Sequence, residues 1–133
     1  FLSVIYNKHY YSDNFDLNLV IYTPTGEIYR QYANINVAWP SYWAPVLPYR
    51  VLYTERSRAC LLQVIENERA CIEAIDAWLA DQDVILLNHT WSPDGNRIGY
   101  TYLNSDSLTP DSGVCYYELV TEKIVCPDGS AIR

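Results

Sequence analysis

Residues Arg58 to Leu87 read RACLLQVIENERACIEAIDAWLADQDVILL, and the way this stretch divides decides the fold. Cys71, Ile72, Ile75, Trp78 and Leu79 recur at helical spacing on one face, while Glu73, Asp76 and Asp81 fall off it. With Asn67 as N-cap and Glu68 in a first turn whose dipole favours an anion, this predicts one amphipathic helix over about 67–81. The preceding run, Ala59 to Ile65, either prolongs that helix toward Thr54 or is a buried strand turning at Glu66-Asn67. The cysteines separate the two. In one continuous helix, Cys60 and Cys71 would lie about 16 Å apart at ~1.5 Å rise per residue. Bridged Cα atoms sit roughly 4.4–6.8 Å apart. A Cys60–Cys71 disulfide therefore requires strand, turn, helix, and that division is adopted. Asp83 to His89 then reads as a strand bound for the core.

The second cysteine pair points the same way. Folding Val114 to Cys126 between Val120 and Thr121 sets Glu118 opposite Lys123, Tyr117 opposite Ile124, Tyr116 opposite Val125 and Cys115 opposite Cys126. One register thus yields a charge pair, two apolar pairs and a cysteine pair. Val-Thr makes a poor two-residue loop, and a longer loop would keep the alignment. Neither pair has the short spacing of a zinc site, and the sequence implies no metal or cofactor. Four cysteines, an even number in a small Tyr-rich chain, point to two disulfides and an extracellular or cell-surface, secreted location.

Working outward, Val4 to Tyr11 alternates like a strand, with Ser12-Asp-Asn14 as a turn. Leu17–Tyr22 and Glu27–Tyr32 flank Thr23-Pro-Thr-Gly26, which suits a type I turn closed by a left-handed glycine. Three prolines between Val37 and Tyr49 preclude helix and central strand there, leaving an ordered loop that carries Trp39, Tyr42, Trp43 and Tyr49. Val84–Trp91 and Ile98–Leu103 flank the turn Ser92-Pro-Asp-Gly-Asn96. The expected architecture is a single β-rich α+β domain over 1–133. One main helix packs on an antiparallel sheet or a partial, OB-like barrel.

The totals narrow the function classes. In 133 residues, half are hydrophobic and 19% are charged, which suits a folded core rather than disorder. No apolar run reaches the ~20 residues of a membrane span. The chain opens FLSVIYNKHYY without a basic-then-apolar leader and contains no Met, as a processed product or a trimmed chain would. A net charge of −7 disfavours nucleic acid, since Arg50, Arg56, Arg58 and Arg69 are interleaved with Glu55, Glu66 and Glu68.

Candidate sites follow from residue chemistry. Trp39, Tyr42, Trp43 and Tyr49 offer flat rings with polar tips, suited to a protein partner or a sugar, or they tuck inward and cap the sheet. Asn88-His89-Thr90 matches the N-glycosylation sequon, although a strand interior argues against a glycan there. Asn104, Asp106 and Asp111 could offer oxygens to calcium, without EF-hand spacing. His9 and His89 are the two possible histidine bases, and Glu66/Glu68 or Glu118/Glu122 the possible acid pairs. No nucleophile elbow, phosphate loop or zinc-protease motif is present.

The expectation is a non-enzymatic, disulfide-braced, acidic domain working through aromatic protein–protein or carbohydrate contacts. A structural or self-assembly role is slightly preferred to a sugar-binding module. FLSVIY could serve as a donated strand, or more simply as the first strand of its own sheet. The alternatives are a small acidic inhibitor or immunity-type protein that neutralises a basic partner, and a small hydrolase.

Overall fold

In the computed structural model, residues 2–7, 17–33, 35–37, 42–104 and 112–127 are described. The chain is β-rich: the described residues form three antiparallel sheets and one helix, and none of these sheets closes into a barrel. Its contacts group into two units, Phe1–Val37 and Ala38–Arg133. No helix among the described residues is long and apolar enough to cross a membrane.

The first unit holds strands β1 (Leu2–Asn7), β2 (Leu17–Tyr22), β3 (Ile28–Tyr32) and the two-residue β4 (Asn36–Val37). The three longer strands pair antiparallel in chain order. Leu2 to Tyr6 of the opening segment therefore lie in their own chain's sheet, with Val4 opposite Val20. The β2–β3 turn forms as its residues dictate: Gly26 N–H donates to the Thr23 carbonyl at 3.0 Å, and Gly26 takes φ +88°.

In the second unit β5 (Arg50–Glu55), β6 (Arg58–Gln63) and β7 (Glu68–Cys71) run side by side. Helix α1 (Glu73–Gln82) follows, then β8 (Ile85–Trp91), β9 (Arg97–Leu103), β10 (Ser112–Glu118) and β11 (Lys123–Val125) in a second sheet ordered β11-β10-β9-β8. Ile75 and Leu79 of the helix pack with Leu52, Ala59, Trp91, Ile98 and Tyr102 in the shared core. Trp78 meets Tyr100 and Tyr102 edge-on, with centroids 5.6 and 4.9 Å away.

The expected helix over 67–81 is corrected to Glu73–Gln82. Residues 68–71 are instead a strand, and the reason is visible at Ile72. Its N–H donates to the Ala59 carbonyl at 2.8 Å, extending the β6 ladder, while its carbonyl accepts from Ile75 and Asp76 at 3.2 Å, opening the helix. Ile72 caps α1 without a side-chain hydrogen bond, and Asp83 ends it in the left-handed region. Asn67 is not an N-cap; at φ +54° it closes the turn from β6 to β7. The central stretch is therefore strand, turn, strand, helix. Cys60 faces Cys71 across β6 and β7, and the two are bonded.

The C-terminal hairpin takes the expected register: Tyr116 opposite Val125, Tyr117 opposite Ile124, Glu118 opposite Lys123, with Cys115 bonded to Cys126. Its loop is four residues, Leu119 to Glu122, rather than two. Glu122 at φ +58° donates its N–H to the Glu118 carbonyl at 2.8 Å. In the β8–β9 turn, the Ser92 hydroxyl donates to Asp94 at 2.6 Å, and with the Asn96 N–H it holds the Asp94 carboxyl below its usual range.

The β5–β6 turn was not expected. Arg56 and Ser57 both sit at positive φ, +50° and +62°, between the paired Glu55 and Arg58. This is the arrangement of a two-residue primed turn, normally filled by Asn-Gly. Ser57→Gly is expected to raise the stability of this unit by about 0.5–1 kcal/mol, because a left-handed L-residue is strained and glycine is not. A urea midpoint that fails to rise would refute this account of the turn.

Candidate functional site

Two surface regions of the second unit present chemistry, and the first is the aromatic loop. Residues Tyr42 to Ala44 run along β5: Leu52 N–H donates to the Tyr42 carbonyl and Ala44 N–H to the Arg50 carbonyl, both at 2.8 Å. Trp43 bridges Val51. The Tyr42 carbonyl also accepts from Trp91 Nε1 at 3.0 Å. Arg50 lies over the Trp91 ring at 4.8 Å and donates to the Gly95 carbonyl at 3.3 Å, so this loop is tied to the β8–β9 hairpin. Tyr42 and Trp43 are consequently half-buried, while Tyr49 is 37% exposed. Their rings meet at angles, with Tyr42–Trp43 tilted and Trp43–Tyr49 edge-on, the centroids 6.5 and 6.4 Å apart. Trp39 lies outside the described residues.

The second region is the outer edge of β7. Among the described residues of the second unit β7 pairs with β6 alone and ends its sheet. The Ile72 N–H to Ala59 carbonyl bond fixes which pairs exchange hydrogen bonds, because these alternate along an antiparallel ladder. Ala59/Ile72, Leu61/Ala70 and Gln63/Glu68 are hydrogen-bonded pairs, whereas Cys60/Cys71 and Leu62/Arg69 are not. The N–H and C=O groups of Arg69 and Cys71 are thus turned away from β6, toward the open side. Beside the strand, over β6 and β7, lies an open groove of about 710 Å³, bordered by Leu61, Gln63, Ile72, Ala74 and Tyr117. Its rim holds three carboxylates, Glu68, Glu73 and Glu122, against the one guanidinium of Arg69. Two disulfides brace it. Cys60–Cys71 holds β7 to its neighbour, and Cys115–Cys126 holds the hairpin that supplies Tyr117 and Glu122.

Of the remaining candidate histidines and acids, Glu68 and Glu122, one from each acid pair, stand on the groove, and the other described ones lie at neither region. His89 is 2% exposed, its Nε2 is 3.1 Å from the Tyr53 carbonyl, and burial pushes its pKa down to about 4, so it is a neutral core histidine. Glu66 and Glu68 are exposed, whereas Glu118 pairs with Arg97 at 3.5 Å and accepts from the Thr121 hydroxyl at 3.0 Å. Asn104 is buried, and Asp106, Asp111 and His9 lie outside the described residues. Glu55 comes near both Cys60 and Cys71, but the two sulfurs are already bonded to each other. Among the four arginines that the sequence interleaves with glutamates, Arg58 is engaged by Asp76 at 2.8 Å and Arg50 by Trp91.

Sequence reading missed the β7 edge because it placed Glu68 to Cys71 in a helix. The available signal was the cysteine spacing. Cys60 and Cys71 are separated by 11, as are Cys115 and Cys126, and the mirror alignment that finds one hairpin finds the other. Comparison with protein-family models, with curated proteins and with solved structures finds no match to this chain.

Proposed function

We propose that this chain is a secreted or cell-surface, non-enzymatic binding domain that takes an extended, basic segment of a partner protein along the open edge of β7. The observation that carries the reading is that edge itself, with the backbone groups of Arg69 and Cys71 turned away from β6 and an acid-rimmed groove lying beside the strand. Added strands gain affinity from main-chain hydrogen bonds and specificity from alternate side chains. Glu68, Glu73 and Glu122 favour Lys or Arg at those alternate positions, and Ile72 and Tyr117 offer apolar contact between them. The chain's charge of −7 would speed such an encounter in a salt-dependent way. A second copy of this chain, with the same acidic rim, suits the groove less well than a basic partner. An inhibitor of a basic protein would act through the same surface.

A sugar-binding reading rests on Tyr49, exposed beside the half-buried Trp43. We favour the β7 edge because the rings at 42–49 meet at angles and do not form one flat platform.

The test uses a displayed library of short peptides, selected on the immobilised protein. Enrichment of extended, proline-free sequences with Lys or Arg at every second position is expected. Arg69→Pro removes an outward N–H while sparing the β6 ladder, as an edge strand tolerates. It should weaken these peptides by about tenfold, the worth of one or two hydrogen bonds, with little change in melting temperature. Trp43→Ala should leave them unaffected. Undiminished binding by Arg69→Pro, or loss confined to Trp43→Ala, would defeat the proposal.

A further inference from the structure

The sequon Asn88-His89-Thr90 lies in β8, and its placement there removes the objection to a glycan. Among the described residues β8 is an edge strand, paired with β9 alone in its sheet. His89 points into the core, so with the period of two Asn88 and Thr90 both point out, and both are exposed. They stand about 6.6 Å apart along one face, at ~3.3 Å per residue. The Asn88 side-chain oxygen accepts a hydrogen bond from the His89 N–H at 2.8 Å, which leaves the amide nitrogen, the atom that carries a glycan, turned away from the backbone.

The surroundings fit a sugar. The register slips between Leu86 and Asn88, so Leu87 and Asn88 are consecutive exposed residues. Ile85, Leu87 and Val114 on this outer face are 48%, 53% and 51% exposed and make up an apolar patch. Opposite Thr90 stands Gly99, where a Cβ would meet nothing within 4 Å. Asn88, Thr90, Gly99, Thr101 and Val114 therefore line a small outward hollow of about 110 Å³. Two disulfides fit a chain matured in an oxidising secretory compartment, where the modification occurs.

We infer that Asn88 is an N-glycosylation site whose first sugars lie over the apolar outer face of β8–β10. In the transfer, the Asn88 amide nitrogen forms a bond to the anomeric carbon of a lipid-diphosphate-linked oligosaccharide. The bond from that carbon to the diphosphate oxygen breaks, the lipid diphosphate leaves with the electron pair, and the amide nitrogen loses one proton to base. No oxidant is required. The inference shares the secretory route with the proposed function but not the partner, so the two can fail separately.

Asn88-His89-Thr90 is the one N-x-Ser/Thr sequon in the chain, which makes the test clean. The full chain is expressed behind a signal peptide in a eukaryotic secretory host. The expected product is a single glycosylated species that collapses on peptide-N-glycosidase treatment, leaving Asp labelled from heavy-oxygen water at position 88. Asn88→Gln and Thr90→Ala should abolish the species, and Thr90→Ser should retain it. If Asn88→Gln is not secreted, the same mapping on cell lysate reads the outcome. Enzymatic deglycosylation of the folded wild type should raise apolar-dye fluorescence several-fold as Ile85, Leu87 and Val114 are uncovered. Secreted wild type with unmodified Asn88 would overturn the site. Equal dye binding before and after deglycosylation would overturn the placement of the sugars.

Discussion

Removing both disulfides is expected to cost the 38–133 unit about 5 kcal/mol, as much as many domains possess in total. Each bond closes a loop spanning a sequence separation of 11, and a loop of that size is worth about 2.5–3 kcal/mol through the entropy it removes from the unfolded chain. The structure predicts that the two losses fall in different places. Cys60–Cys71 ties down a four-residue strand that, among the described residues of this unit, pairs with β6 alone, whereas Cys115–Cys126 ties down the three residues of β11. Replacing Cys60 and Cys71 with serine should therefore expose the amides of 68–71 to hydrogen exchange before those of β5 and β6. It should also weaken peptide binding along β7 while the core remains folded. Replacing Cys115 and Cys126 should loosen 123–125 first. Urea unfolding with and without a phosphine reductant measures the total, and exchange mapped by mass spectrometry measures the distribution. An unchanged midpoint after complete reduction would mean that strand pairing and the core hold these hairpins without the bonds.

The two cysteine hairpins also show what could be read from the residues and what could not. Both have a separation of 11, a four-residue loop, and a left-handed residue at the loop's last position, Asn67 in one and Glu122 in the other. In the C-terminal hairpin the register was legible because opposing residues identify each other, above all Glu118 and Lys123. In the central hairpin the pairs are Leu61/Ala70, Leu62/Arg69 and Gln63/Glu68, which are mute as cross-strand partners. The residues ERAC also join smoothly to the helical stripe that follows. Asn67 resolved the ambiguity wrongly, because asparagine favours both a helix N-cap and the left-handed region. The edge character of β7 is a property of sheet order, which no local pattern encodes. The β5–β6 turn was hidden for a different reason, since Arg56-Ser57 lacks the Asn or Gly that such a turn normally selects.

The aromatic loop marks another limit. Its prolines exclude helix and central strand, and the described residues 42–49 form neither. Which way its rings face is decided by Trp91 and Arg50, which reach the loop through contacts formed only in the folded unit. Asn88 repeats the lesson in reverse: β8 is a strand, as expected, but an edge strand with Asn88 on its open face.

Acidification from pH 7 to 4.5 is expected to cost about 2.5 kcal/mol through His89 alone, at 1.36 kcal/mol per pKa unit. The ring is buried between β5 and β8, with Nε2 facing the Tyr53 carbonyl, a contact that requires its proton on Nε2 and leaves Nδ1 bare. Charging it would add a proton at Nδ1 inside the core, beside Tyr100, whose phenol burial keeps neutral. Desolvation therefore lowers the folded pKa to about 4, against 6.5 in the unfolded chain, and the hydrogen bond to Tyr53 only partly opposes it. Between those values the unfolded state holds the extra proton. Stability is fully present above pH 6.5, falls as the pH drops toward 4, and levels off below it. The fully exposed Asp94, also depressed, adds its loss only at the acid end of that range. Urea midpoints across pH 4–7.5 should trace this slope, and His89→Gln should flatten it even if the variant starts less stable. Direct titration of the His89 ring by NMR gives the decisive number. A value near 6.5 would mean that water reaches the ring in the native state, and the slope attributed to it would disappear.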